Sequence, residues 1–338
     1  MFGAADALLC GSGSLAIEIA LRACDVRAGN EVVLPTFCCT AVVPPILAVG
    51  ATPVLADVAD ELNLTVKTVE AALTRKTKAV IVPHLFGNPA EIDRIVELAR
   101  ARNIRVIDDA AQALGATIEG RAVGSFGDAG IVSFGAEKVC FGLGGGVALS
   151  RHHPVAANFS QIDLAPATVT PVMGKLFSMI LWRRLRSSLS KESVSPDAVP
   201  TAYRLESMNH LAAAVAASLL RTLDQNIAAR RGRARIYREA LKNCPGVELI
   251  AHQTGSACLS QVIRVEPRRR GEDGASRLIG TLAAEGYEVR GSYLPIHLLR
   301  SMNHCVWDRL PYAERVWADL VELPCEPSVS LDDVTKIA

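Results

Sequence analysis

The sequence predicts an α/β fold in which helices cover a mostly parallel sheet. Short apolar segments alternate with helical ones up to residue 109, which is the pattern of β–α–β units. The segment 78–83 is almost continuously apolar, as expected for a strand that is buried on both faces. A carboxylate, Asp109, ends the next strand, at the edge where open parallel sheets bind ligands.

The predicted elements follow one another along the first half of the chain without an internal repeat. They are, in order, a helix over 15–23, a strand over 31–35, a helix over 37–49, strands over 52–56 and 78–83, a helix from 88 to about 101, a strand ending at Asp109 and a strand over 130–134. Asn88 is expected to cap its helix, with Pro89 in the first turn.

The second half of the chain divides less clearly. Residues 174–189 form a basic amphipathic pattern, which favours a helix packed on its own protein or on a partner subunit over one that touches a membrane surface. A long helix is predicted over 204–240. We expect a large domain over 1–200 with a variable segment over 151–200, a linking helix over 201–243 and a small C-terminal α/β domain over 244–338.

Composition excludes several classes of protein. The chain has 338 residues, 50% of them hydrophobic, which is enough for a large core. A net charge of +1 gives no electrostatic case for binding nucleic acid. Nine cysteines without a CxxC pair indicate reduced thiols rather than disulfides or a zinc site. No secretory leader or long apolar span is visible, so we expect a cytoplasmic protein without a metal.

Two residues, Asp109 and Lys138, indicate pyridoxal phosphate (PLP) chemistry when they are considered together. A buried carboxylate at a strand end needs a partner, and a protonated pyridine nitrogen is one that also creates an electron sink. Lys138 lies in a nearly uncharged run, as a lysine that forms a Schiff base requires. Alone, Asp109 could be a helix cap and Lys138 a solvated surface lysine.

The sequence resembles the DegT/DnrJ/StrS-type sugar aminotransferases, which are fold-type-I PLP enzymes, over nearly its whole length. The motifs that carry the resemblance are Ser12-Gly13-Ser14, Asp109-Ala110-Ala111-Gln112, Ser133-Phe134 and Lys138, framed by Pro35-Thr36-Phe37, residues 82–87 and residues 124–128. The 29-residue spacing from Asp109 to Lys138 also fits this family.

The resemblance implies an aspartate aminotransferase-like fold, a homodimer and a set of site residues. Lys138 and Asp109 are implied to be catalytic. The residues implied to bind the cofactor are Gly13, Ser14, Leu15, Cys39, Asp109, Gln112, Ser133 and Lys138. The amino donor implied is glutamate, and the acceptor is a keto group of a nucleotide-linked sugar or a cyclitol, in polysaccharide or antibiotic biosynthesis. For Ser14, simple capping of the following helix stays an open alternative.

Three features depart from the family pattern. Cys39 stands where the family places an aromatic residue over the cofactor ring, a role that Phe37 is a candidate to fill. Ala202 stands where many relatives carry a phosphate-binding asparagine of the neighbouring subunit, before Tyr203. The sequence also begins shortly before Ser12-Gly13-Ser14, the motif that the resemblance implies to bind the cofactor phosphate, whereas relatives carry a further N-terminal segment.

Other functions compete with this interpretation. One is a PLP-dependent lyase or dehydratase, against which Lys138 argues, because the dehydratase relatives carry histidine there. Another is a diverged regulatory or partner subunit with weak or no catalysis. A nicotinamide enzyme lacks the required GxGxxG motif. His297, in a segment similar to one that closes over the family's site, is either a substrate contact or a packing residue.

Overall fold

A seven-stranded sheet organises the computed structural model, which describes residues 1–168, 174, 203–266 and 273–338. Its strands lie in the order β1-β9-β8-β5-β4-β2-β3. They are β1 (Asp6–Cys10), β2 (Glu31–Pro35), β3 (Thr52–Ala56), β4 (Thr77–Pro83), β5 (Arg105–Asp109), β8 (Ala129–Ser133) and β9 (Gly146–Ser150). Five neighbouring strands, β8, β5, β4, β2 and β3, run parallel to one another. Strand β9 is antiparallel to both of its neighbours, β1 and β8. The predicted mostly parallel α/β fold is confirmed.

Helices and a second sheet complete the architecture. The helices are α1 (Gly13–Ala23), α2 (Val43–Ala48), α3 (Val66–Ala72), α4 (Ile92–Ala101), α5 (His153–Phe159), α6 (His210–Leu220), α7 (Leu223–Leu241), α8 (Gly274–Ala284), α9 (Pro311–Val316) and α10 (Leu331–Ile337). A small hairpin joins β6 (Thr117–Ile118) to β7 (Arg121–Ala122). The second sheet is antiparallel, in the order β10-β11-β13-β12. Its strands are β10 (Val247–Leu249), β11 (Ser260–Val265), β12 (Arg290–Gly291) and β13 (Leu320–Pro324).

The hydrophobic core follows the two sheets. Helix α1 lies under the large sheet, and its Leu15, Ile19 and Leu21 are at most 1% exposed. The C-terminal sheet packs on α7, α8 and α10 around Tyr237, which is fully buried. The division into domains at residues 200 and 243 stays a prediction.

Two predicted helices differ in extent from those observed. The helix predicted over 37–49 is a 3-10 turn over Thr40–Val42 followed by α2, which places Pro44 and Pro45 in the first turn, where a missing N–H is tolerated. The helix predicted over 204–240 is broken between α6 and α7 at Thr222, whose φ and ψ of −111° and 16° leave the helical region. The Thr222 hydroxyl donates to the carbonyl of Leu219, in the last turn of α6.

The predicted cap of the fourth helix is also wrong. Helix α4 begins at Ile92, and Asn88 lies outside it. The Asn88 side chain donates to the carbonyl of Ala251 and accepts from the N–H of Gln253. The Asn88 side chain therefore forms a tertiary hydrogen bond with a residue 163 positions later in the sequence and does not cap α4.

Some predictions fall on other parts of the chain. Apart from Gly174, the amphipathic pattern of 174–189 lies outside the described residues, and so does Ala202. Among the helices of the described residues, none combines the length and the apolar composition that a membrane span requires. All nine cysteines are free thiols, and Cys244 is the exposed one among them.

Candidate active site

The start of helix α1 presents unused backbone donors. The N-cap is Ser12 rather than Ser14, and its hydroxyl accepts from the N–H of Leu15. The hydroxyl of Ser14 donates to the carbonyl of Ala41. In the described part of the chain the N–H groups of Gly13 and Ser14 have no hydrogen-bond acceptor. Free N–H groups at a helix start form a site for an anion such as a phosphate.

Ser133, at the end of β8, lies against this helix start. A Cβ at Gly13 would be 2.8 Å from the Ser133 Oγ, so the absence of a side chain at residue 13 permits the close approach. The Ser133 Oγ accepts from the N–H of Gly135. The Ser133 hydroxyl therefore lies beside the first residue of α1.

Asp109 lies at the carboxyl end of β5, and its side chain is almost fully buried. One carboxylate oxygen accepts from the N–H of Ala111 at 2.9 Å. Burial raises the pKa of the Asp109 carboxyl, against the opposing effects of the Ala111 N–H and of the charge of Lys138. A cationic partner in the adjoining space would favour the ionised form of the carboxyl.

Behind Asp109, the neighbouring acid belongs to a buried pair that the sequence alone did not reveal. Asp108 and His84 are both fully buried, and the His84 Nε2 lies 2.7 Å from a carboxylate oxygen of Asp108. The His84 Nδ1 accepts from the N–H of Ala90, so the proton is on Nε2 and is donated to Asp108. The other Asp108 oxygen accepts from the N–H of Phe126. These contacts fix the end of β5 on which Asp109 stands.

A cavity of about 260 Å³, here called the lysine cavity, brings these groups together. It is lined by Gly11, Ser12, Gly13, Ser14, Ile17, Cys38, Cys39, Ala41, Val42, Pro83, Leu85, Asp109, Ala111, Gln112, Ser133, Gly135, Lys138, Gly144 and Gly145. The half-buried Lys138 and the carboxylate of Asp109 thus face the same space.

Seven of the eight residues expected to bind a cofactor line the lysine cavity, and Leu15 does not. The Leu15 side chain is 1% exposed and belongs to the core beneath the sheet, because it lies on the opposite side of α1 from the cavity lining. Cys39 does line the cavity, at the position where relatives carry an aromatic residue. Phe37 is fully buried outside the lining, so it does not replace that ring.

Tyr293 supports the cavity from the C-terminal part of the chain. Gln112 donates from its Nε2 to the Tyr293 hydroxyl at 2.9 Å and accepts on its Oε1 from the N–H of Phe86. The rings of Phe37, Phe86 and Tyr293 pack with centroids 6.0 to 6.3 Å apart. The sequence singled out the segment around Tyr293 but not this residue.

His297 lies in the same segment but does not line the lysine cavity. Its Nδ1 is 2.7 Å from the Thr36 hydroxyl, and its ring packs 5.8 Å from that of Trp307. Its Nε2 lies 3.4 Å from a carboxylate oxygen of Glu314. Of the two roles considered for His297, these contacts support packing between segments.

Comparison with known proteins assigns this arrangement to a family. The sequence model of the DegT/DnrJ/EryC1/StrS aminotransferase family matches residues 1–338. The chain belongs to this family. Aminotransferases of the DegT/DnrJ/EryC1/StrS family depend on PLP, and the predicted transaminase class is confirmed by the names of its relatives.

Three similar proteins illustrate the range of the family. A UDP-N-acetyl-3-dehydro-alpha-D-glucosamine 3-aminotransferase of Acidithiobacillus ferrooxidans is 48% identical over 133 residues, which cover 39% of this chain and 36% of that protein. A GDP-perosamine synthase of Caulobacter vibrioides is 29% identical over 339 residues, 99% of this chain and 84% of that protein. The crystal structure of the aminotransferase TlmJ from Streptoalloteichus hindustanus superimposes with a TM-score of 0.79 at 26% identity, covering 98% of this chain and 83% of that one.

The residues of the lysine cavity fit PLP in three of four respects. Free N–H groups and Ser133 suit the phosphate, Asp109 suits a protonated pyridine nitrogen, and Lys138 suits the aldehyde. The fourth respect is stacking on the ring, because no aromatic side chain of the described residues lines the cavity.

Proposed function

We propose that the chain is a PLP-dependent aminotransferase in which Lys138 holds the cofactor covalently. The observation that carries the proposal is that Lys138 and Asp109 line one cavity with the free N–H groups of Gly13 and Ser14. PLP, when bound, supplies the electron sink that stabilises negative charge on a substrate carbon.

Each of these residues has a separate task in this proposal. The N–H groups of Gly13 and Ser14 and the hydroxyl of Ser133 bind the phosphate. Asp109 would keep the proton on the pyridine nitrogen, because that positive charge would stabilise its buried carboxylate. The Nζ of Lys138, when it is not bonded to the cofactor, would serve as the general acid–base that accepts the proton of a substrate carbon and gives it back.

For substrates, we propose glutamate as the donor and a keto group of a nucleotide-linked sugar as the acceptor. The names of the Acidithiobacillus and Caulobacter relatives support a nucleotide-linked sugar, since one names a UDP-sugar and the other a GDP-sugar. A keto-cyclitol is the competing acceptor. Passing the amino group through the enzyme in two half-reactions predicts ping-pong kinetics. We also propose that the protein is a cytoplasmic homodimer. A mass measurement in solution tests whether it is a dimer.

The first test concerns the lysine. Borohydride reduction in the presence of PLP, followed by peptide mapping, should label Lys138 in the wild-type protein and leave Lys138→Ala unlabelled. Lys242→Ala, which removes an exposed lysine on the surface, is the matched control and should label normally. Labelling at another lysine, or none in the wild type, contradicts the proposal.

The second test concerns the substrates. PLP-loaded protein is incubated with glutamate and a panel of UDP-linked, GDP-linked and dTDP-linked keto-sugars and inososes, and 2-oxoglutarate is measured. Release that depends on a nucleotide-linked sugar supports the assignment, whereas release with inososes alone supports a cyclitol. The missing aromatic ring favours one further candidate, a diverged subunit that binds PLP without turnover. Labelled Lys138 without 2-oxoglutarate release from any pair would support that candidate.

A further inference from the structure

The residue before Lys138 has an uncommon backbone conformation. Glu137 has a φ of 59°, in the left-handed region that side chains with a Cβ rarely adopt. Residues 136 and 137 form a local turn, and in the described part of the chain no backbone hydrogen bond ties residues 136–138 to another segment. The next hydrogen bond to another segment is at Val139, whose carbonyl accepts from the Asn226 side chain at 3.2 Å. The segment that carries the lysine therefore depends on side-chain contacts for its position.

The side chain of Glu137 makes one such contact, with Arg290 of the C-terminal sheet. The Nη1 of Arg290 lies 2.7 Å from a carboxylate oxygen of Glu137. The Nε and Nη2 of the same guanidinium lie 3.2 and 3.1 Å from a carboxylate oxygen of Glu322. One planar group therefore bridges two carboxylates, a geometry that the single ammonium of a lysine cannot reproduce.

The far end of this bridge is anchored in the sheet. Arg290 on β12 pairs in register with Glu322 on β13. The Glu322 side chain is 7% exposed, and its second oxygen accepts from the Ser292 hydroxyl at 3.1 Å. The end at Glu137 is open to solvent, since 69% of that side chain is exposed. The ion pair between Arg290 and Glu137 is thus the weaker half of the bridge. Because it is screened by solvent, it contributes little to the free energy of unfolding.

A second cavity places the bridge beside the lysine. A groove of about 900 Å³, here called the outer groove, is lined by Glu137, Lys138, Arg290 and Glu322 among others. Lys138 lines both this groove and the lysine cavity. A shift of the lysine segment toward the outer groove would take the amine away from Asp109.

We propose that the Glu137–Arg290–Glu322 bridge is a clamp that ties the lysine segment to the C-terminal sheet and so positions the Lys138 amine in the lysine cavity. Glu137 and Arg290 are positioning residues, and their effect on the reaction rests on the proposed role of Lys138. The clamp joins residues 137, 290 and 322, so the C-terminal sheet sets the geometry of a lysine that the large sheet carries.

The first experiment measures the Lys138 amine in protein freed of cofactor. Trace labelling with acetic anhydride and mass spectrometry compares the labelling of Lys138 with that of the exposed Lys242 in the same molecule. Glu137→Gln should raise the relative labelling of Lys138 by about two- to fivefold at low salt, the range expected for an exposed ion pair. At about 1 M salt, where such pairs are screened, wild type and variant should label alike.

Two variants separate the ion pair from the backbone and from general effects of charge. Glu137→Gly relieves the left-handed backbone while removing the carboxylate, so it should label as fast as Glu137→Gln if the ion pair holds the segment. Glu248→Gln removes a carboxylate 3.5 Å from Arg264 in the same sheet and should leave Lys138 unchanged. Equal labelling of wild type and Glu137→Gln at low salt, or wild-type labelling of Glu137→Gly, overturns the clamp.

The second experiment uses the cofactor. Formation of the reducible Lys138 adduct should be slower by a similar factor of about two to five in Glu137→Gln and in Arg290→Lys, and the double variant should be no slower than either. Arg290→Lys keeps a cation beside Glu322, which guards against misfolding. Additive losses contradict the clamp. If the wild type forms no adduct, the proposed function fails, while the labelling result still decides whether the clamp exists.

Discussion

Replacing Gly13 by alanine tests how the candidate phosphate site is built. A Cβ at residue 13 would lie 2.8 Å from the Oγ and 2.9 Å from the Cβ of Ser133, closer than such atoms approach one another. Because Ser133 belongs to a central strand, the start of α1 must move instead. We expect Gly13→Ala to lower the free energy of unfolding by about 1–3 kcal/mol, the usual cost of an overpacked site.

The matched control is another helical glycine. A Cβ at Gly280, in α8, meets no atom within 4 Å, so Gly280→Ala should raise the free energy of unfolding by about 0.5–1 kcal/mol. The two substitutions have the same chemistry and opposite expected signs. Urea unfolding of the cofactor-free variants, measured in parallel, gives the comparison.

A substitution at Ser133 should relieve the same clash. Ser133→Gly removes both clashing atoms, since the Ser133 Cα would be 3.8 Å from the new Cβ. Combined with Gly13→Ala, it should restore about 1 kcal/mol or more relative to the sum of the single changes. Gly13→Ala should also weaken PLP binding by about tenfold, because the N–H groups are displaced. Wild-type stability of Gly13→Ala, or additive single changes, would refute the explanation.

Three further predictions concern charge and hydrogen bonding. Asp109→Asn should keep the borohydride-reducible adduct at Lys138 but slow 2-oxoglutarate release by about 100-fold, as removal of one preorganised charge does; an unchanged rate would contradict the role of Asp109. Burial lowers the pKa of His252 to about 4, so the unfolded chain binds an extra proton between pH 4 and 6.5 and stability is lost as the pH falls through that range. His252→Gln should lack up to about 3 kcal/mol of that loss in urea unfolding, and parallel pH curves for the two proteins would refute this. Tyr293→Phe should cost about 1 kcal/mol in the same assay, because Gln112 loses its buried acceptor, and no loss would show that Gln112 finds another.

The sequence indicates the parts of the site that lie within one β–α–β pattern. Asp109 is predicted at the end of a buried strand, and that strand is β5. The lysine lies just beyond a second apolar strand, so the alternation of strands and helices is enough to predict the pair at one edge of the sheet. The position of Lys138 in the same cavity as Asp109 agrees with that expectation.

Contacts between distant segments are beyond such reasoning. Asp108 looks like an ordinary acid in the sequence, and its pairing with His84 follows from the register of β4 and β5. The clamp joins Glu137 to Arg290 in a different sheet, and no periodic pattern connects the two. Strand β1 is not predicted either. It is held in the sheet by pairing with β9, which lies far later in the chain, so the local sequence does not reveal it.

The pairing of β1 with β9 has a consequence for biosynthesis. Cys10, at the end of β1, lies opposite Gly146 of β9. The strand that packs beside the start of α1 is therefore synthesised more than 130 residues after it. A nascent chain on the ribosome that ends before β8 would carry the start of α1 without Ser133, Lys138, Gly144 or Gly145, which line the lysine cavity. The proposed PLP site is therefore complete only after most of the large sheet has been synthesised, and translation products that end before β8 should not retain PLP.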